Sequence, residues 1–161
     1  MAYKLGPRSR QRLEGVHPDL VCVVERAIQI TRIDFTVLEG VRTVERQKTL
    51  LAKGASKTMN SRHLTGHAVD LGACLDGSVR WDWPLYYPIA DAMKHAAEEL
   101  GIRVYWGACW SCINDEDHLS DAVTAYIERK KAVGKKPFMD GPHFELSSSD
   151  FPDNECLEEA S

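Results

Sequence analysis

Two short segments carry side chains whose types and spacing could do chemistry. Ser61-Arg-His-Leu-Thr-Gly-His-Ala-Val-Asp70 places a histidine seven residues before an aspartate, and Asp140-Gly-Pro-His143 places a second aspartate three residues before another histidine. Imidazole nitrogen and carboxylate oxygen are ordinary zinc donors, and three protein ligands leave a fourth position for water. His63, Asp70 and His143 are therefore a candidate ligand set. One helix face does not present both His63 and Asp70 neatly. A loop entering a strand can, because Gly66 permits the turn and a period of two aims Asp70 off the core face. Spacing alone leaves other readings open: a strand-borne aspartate also serves as a turn anchor or surface residue, and a single histidine is usually not a ligand. His67, beside the set in sequence, is a weaker candidate for a substrate-lining or supporting role. His95, next to Lys94 and Glu98 on a polar helix face, reads as solvated surface.

Other chemistry-bearing residues have plainer readings. The five cysteines are an odd number scattered through the chain, which argues for reduced thiols rather than a disulfide framework. Cys109-Trp-Ser-Cys112 forms a CxxC without a second ligand pair, so ordinary packing is favoured over a small metal site with His118 or a redox pair. Asn114-Asp-Glu-Asp117 offers the hard oxygens calcium takes, but without EF-hand spacing it reads as a solvated acidic loop.

The elements that must position these residues follow from periodicity. A helix is expected over 18–32, with Pro18 in its first turn and Val21, Val24 and Ile28 on one face. Residues 34–38 alternate like a strand, and Thr43 caps a helix that runs to about Ala52 and stops at Gly54. Residues 54–66 read as loop, 67–71 as strand, and 85–100 as the clearest helix, closed by Gly101. A strand over 103–106, a helix from about Ser120 and a strand over 143–146 complete the series, the last with Phe144 and Leu146 opposite His143 and Glu145. Without a βαβ rhythm, this predicts an α+β domain with a small antiparallel sheet flanked by helices.

The 161 residues suit one hydrophobic core and hardly two, and 43% hydrophobic with 27% charged residues is an ordinary globular balance. A net charge of −4 speaks against a nucleic-acid partner, and no apolar run is long enough for membrane insertion. The N-terminal residues show no apolar segment of a secretory signal.

At Ser61-x-His63-x-x-Gly66-x-Ala68-x-Asp70-Leu71, followed by Asp140-x-x-His143-Phe144, the sequence resembles the VanY-like D-Ala-D-Ala-carboxypeptidase zinc peptidases. The wider group includes lysostaphin and the hedgehog signalling domain, and the nearest look is to phage L-alanyl-D-glutamate peptidase endolysins. Glu39-Gly-Val-Arg42-Thr-x-Glu45-Arg46-Gln47 is similar to the stretch where that family places an active-site arginine. The resemblance implies one Zn2+ on His63, Asp70 and His143, Asp140 as catalytic acid/base, Arg42 steadying a substrate carbonyl or carboxylate, and Ser61 lining the site. Asp140, where the carboxypeptidase branch commonly has Glu, points to the endolysin branch, some of whose members also use Ca2+.

The resemblance implies a single peptidase domain over 1–161, with a core of about 5–146, an inserted segment of about 107–139 and an acidic tail over 147–161. The implied function is hydrolysis of the L-Ala–D-Glu bond of peptidoglycan stem peptides for host lysis. D-alanyl-D-alanine carboxypeptidase activity is the alternative, followed by a non-catalytic zinc-containing binding domain. The expected setting is a monomer made in the host cytoplasm, which reaches the periplasmic wall after a holin opens the membrane.

Overall fold

A computed structural model describes residues 2–152. Among these residues lie five helices, six strands and three short 3-10 turns. The helices are α1 (Pro7–Arg12), α2 (Pro18–Ile30), α3 (Val44–Ala52), α4 (Tyr86–Leu100) and α5 (Leu119–Ala132). The strands are β1 (Phe35–Glu39), β2 (Ala68–Leu75), β3 (Ser78–Arg80), β4 (Val104–Trp106), β5 (Ser111–Cys112) and β6 (His143–Leu146). They form one sheet in the order β1-β2-β6-β4-β5, with β3 also paired to β2, and every pairing is antiparallel. The expected α+β architecture with an antiparallel sheet is what the chain adopts.

Helices α2 and α4 pack on one another, and α4 packs on β2 and β4 of the sheet. Leu20, Val23 and Ala27 of α2 and Ile89, Met93 and Ala96 of α4 are buried, as the spacing of three and four along a helix requires. The sheet contributes Val37, Leu71, Trp106, Phe144 and Leu146, with Trp106 and Phe144 stacked at 6.1 Å between ring centroids. Gly101 closes α4 at φ 69°, a left-handed conformation that costs glycine no Cβ clash.

Three elements escaped the periodicity. Helix α1 is too short to show a face, yet it covers the edge strand β1: Ser9 Oγ accepts from Val37 N at 3.0 Å, and Arg12 Nη1 donates to Val37 O at 2.9 Å. Strands β3 and β5 have three and two residues, too few for an alternating pattern. Strand β2 runs on to Leu75, beyond the expected end at Leu71, because Ala73–Leu75 pair with β3. The expected loop 54–66 holds a 3-10 turn at Arg62–Thr65, capped by Ser61 Oγ, which accepts from His63 N at 3.2 Å.

The first residues of the expected 147–161 tail are anchored to the domain. Ser147 N bonds Arg103 O at 3.0 Å, Arg62 Nη2 donates to Phe151 O at 2.8 Å, and the Phe151 ring stands edge-on to His17. The rest of the expected tail, 153–161 with Cys156, lies outside the described residues.

Candidate active site

Neighbouring strands bring the site together. In the sheet register Asp70 of β2 stands opposite Glu39 of β1 on one side and His143 of β6 on the other. A bulge between Val37 and Glu39 shifts the register of β1, which brings Glu39 rather than Leu38 opposite Asp70. Three side chains thus form a row across three strands, although their sequence positions are far apart.

His63 comes from the 3-10 turn before β2. Gly66 ends that turn at φ 80°, and a Cβ there would lie 2.6 Å from Gly15 O. Ring nitrogen Nε2 of His63 lies 3.1 Å from Asp70 Oδ1 and 3.2 Å from His143 Nδ1. The candidate ligand atoms of His63, Asp70 and His143 all lie within 4.8 Å of one another. The opposite nitrogens are already committed. His63 Nδ1 faces Gly40 O at 2.9 Å, and His143 Nε2 faces Glu145 Oε1 at 2.8 Å. Metal-binding histidines usually show this pattern, in which an acceptor behind each ring sets its tautomer and orientation. Two imidazoles and one carboxylate, with an acceptor behind each ring, form a donor set that fits zinc.

The electrostatics favour a cation at this point. Burial, the largest influence on His143, opposes its charge, yet hydrogen bonds to Asp70 and Glu145 outweigh it and raise the imidazole to about 10. Burial also works against ionised Asp70, but bonds and charge from His143 and His63 hold its carboxyl below the usual range.

Asp140 lines the same cleft. Its turn is fastened at four points: Asp140 N to Gly107 O at 2.9 Å, Gly107 N to His143 O at 2.8 Å, Leu71 N to Pro142 O at 2.9 Å, and Trp106 Nε1 to Gly141 O at 2.7 Å. Only glycine fits at 107, where a Cβ would meet Asp140 O at 2.5 Å. Burial raises the Asp140 carboxyl, and the neighbouring Asp70 charge raises it further.

Arg42 is not a free fork. Its Nε and Nη2 clasp Glu39 at 2.7 and 3.0 Å, and Nη1 donates to Gln47 Oε1 at 2.8 Å. Its Nη2 also approaches Asp70 Oδ2 at 3.5 Å, so the guanidinium adjoins the ligand set. Gln47, fully buried, holds the far end of this cluster through Ser56 Oγ at 2.7 Å; the sequence names it only within the motif around Arg42, because one buried amide leaves no pattern of its own.

Ser61 lines the cleft, but its hydroxyl caps the His63 turn. His67 is not among the cleft-lining residues: it is fully buried, with Nδ1 2.7 Å from Thr65 Oγ1. The turn at 62–65 faces His63 to the cleft, while His67 enters β2 on the packed side, beside the His17 ring at 5.6 Å.

The segment 107–139 forms one cleft wall. Trp110, at φ 49°, donates Nε1–H to Phe138 O at 2.7 Å, stacks on Phe138 and reaches within 5.3 Å of the His143 ring. Tyr126 of α5 fixes Phe138 through its hydroxyl at 3.1 Å to both backbone groups. Cys109 and Cys112 are buried free thiols, and burial pushes both thiols up from their ordinary range. Among the described residues neither thiol groups with His118 into a metal-holding cluster, and neither do Asp115, Glu116 and Asp117. Asn114 turns inward instead, accepting from Val104 N at 3.1 Å.

The whole cleft measures about 630 Å³, room for a peptide segment. No helix among the described residues is long and apolar enough to cross a membrane.

Known proteins resemble this chain in sequence and in fold. The family model of phage L-alanyl-D-glutamate peptidase matches residues 1–147. The L-alanyl-D-glutamate peptidase of Escherichia phage T5 is 34% identical over 119 residues, covering 71% of this chain and 87% of that protein. That of Listeria phage A118 is 33% identical over 94 residues, which is 58% of this chain but 32% of the longer relative. The crystal structure of the Serratia marcescens L-Ala D-Glu endopeptidase ChiX superposes with a TM-score of 0.69 at 40% identity, covering 91% of each chain. With a match over nearly its whole length and the fold to go with it, this chain belongs to the phage L-alanyl-D-glutamate peptidase family and is a peptidase.

Proposed function

We propose that this protein is a zinc endopeptidase that cuts the L-Ala–D-Glu bond of peptidoglycan stem peptides. The observation that carries the reading is the convergence of His63, Asp70 and His143 within 4.8 Å, in a cleft that Asp140 also lines. His63, Asp70 and His143 would hold the zinc, which would supply Lewis acidity to the scissile carbonyl and lower the pKa of a water. Asp140 takes the proton of the attacking water and returns it to the leaving amine. Its buried position, which raises its carboxyl, suits a group that must both accept and release a proton. Arg42, locked on Glu39, is a fixed positive charge for the oxygen that becomes negative as water adds. Glu145 and the Gly40 carbonyl hold the two imidazoles in orientation.

As a family member with phage relatives, the enzyme acts on the wall at host lysis, reached through a holin-type pore. Mass spectrometry of digested peptidoglycan tests the bond: new C-terminal L-Ala with new N-terminal D-Glu is expected. Free D-alanine as the main product would establish the carboxypeptidase alternative. For the metal, elemental analysis should find about one zinc per chain, lost in His63→Ala and in His143→Ala.

A further inference from the structure

Four described cations line the cleft, and they divide sharply by their partners. Arg42 is buried and bound to Glu39 and Gln47. Arg62 is buried and donates to the carbonyls of Leu146 and Phe151. Arg46, in the first turn of α3, is different. Its side chain is 51% exposed, and its nearest acid is Glu39 Oε1 at 3.8 Å, beyond hydrogen-bond reach. That oxygen already accepts from Arg42 Nε at 2.7 Å. Arg42, Glu39 and Arg46 together carry a net positive charge, and Arg46 is its exposed bearer. Lys57 is a second exposed cation of the cleft; its ammonium lies 5.8 Å from the Phe138 ring centroid and makes no ion pair among the described residues.

A guanidinium with an unfilled fork, in a cleft beside a hydrolytic site, matches a carboxylate in geometry and charge. The proposed substrate offers one. A D-glutamate that continues the stem through one carboxyl keeps the other free, or as an amide, next to the scissile bond. Arg42 would have to abandon a buried bidentate pair to meet that group, whereas Arg46 has only to lose water.

We propose that Arg46 is the specificity-determining residue for this carboxylate, binding it on the leaving side of the scissile bond while Arg42 stays with Glu39. The inference rests on the endopeptidase reading above.

Two synthetic stem peptides test it, identical except for a free carboxylate or a carboxamide at that glutamate position. With the zinc-loaded full chain, kcat/KM for the carboxylate peptide should exceed that for the amide by about tenfold or more. In Arg46→Met the preference collapses toward unity, chiefly through KM on the carboxylate peptide, and Arg46→Lys recovers part of it. A merely structural role for Arg46 would depress both peptides equally and leave their ratio as in the wild type. That outcome, or a wild-type enzyme indifferent to the two peptides, overturns the proposal and leaves the endopeptidase reading standing. Failure of the wild type to cut either peptide between alanine and glutamate overturns both.

Discussion

The Glu145 carboxylate lies 2.8 Å from Nε2 of His143, two residues earlier on the same strand. Alternation along β6 puts both side chains on one face, while Phe144 between them enters the core. The contact turns Nδ1 of His143 toward His63 and Asp70. Arg62 stands behind Glu145 at 3.8 Å. Removing such an outer partner typically costs about 10–100-fold in metal affinity or activity. Glu145→Ala should therefore weaken zinc binding by roughly that factor, with Glu145→Gln between it and the wild type. Competition with a chromogenic chelator measures this, and wild-type affinity in both variants would remove the assigned role.

Asp140→Asn separates proton transfer from metal binding. Loss of a positioned acid/base should cost about 10²–10⁴ in rate while zinc content and fold persist. Loss of the metal instead would make Asp140 a ligand, and near-normal turnover would leave it only a turn anchor.

Arg42 and Glu39 form a largely buried pair, with side chains 8% and 23% exposed. Removing one partner strands the other charge. Arg42→Met should lower unfolding stability by about 3 kcal/mol in a denaturant titration, toward the low end of buried pairs because Glu39 touches solvent. Hydrolysis should fall as well, since the variant removes the charge next to Asp70.

Gly40 offers a test of backbone geometry. A Cβ there would fall 2.0 Å from Arg12 O, and the Gly40 carbonyl orients His63 Nδ1. Gly40→Ala must displace that carbonyl, so we expect about 1–3 kcal/mol of destabilisation together with weaker zinc binding. Thermal unfolding and chelator competition report the two effects separately. A variant with lowered stability and unchanged affinity would show that the carbonyl is dispensable for His63.

The sequence by itself determined the local elements and the chemical alphabet. Helices α2 and α4 announce themselves because residues three and four apart must share a buried face. The alternation of His143, Phe144, Glu145 and Leu146 likewise separates site from core on β6. The two motifs name the donor residues, because few residue types can hold a metal or move a proton. Tertiary structure alone decided the rest. Strand register and the β1 bulge set Glu39, Asp70 and His143 in one row, and register is a pairing between distant segments that no local period encodes. It also determined that Arg42 is occupied while Arg46 is open, that His67 is buried, and that Trp110 and Phe138 of the 107–139 segment wall the cleft. A side chain's type states what it can bind; only its neighbours in space decide what it has left to bind with.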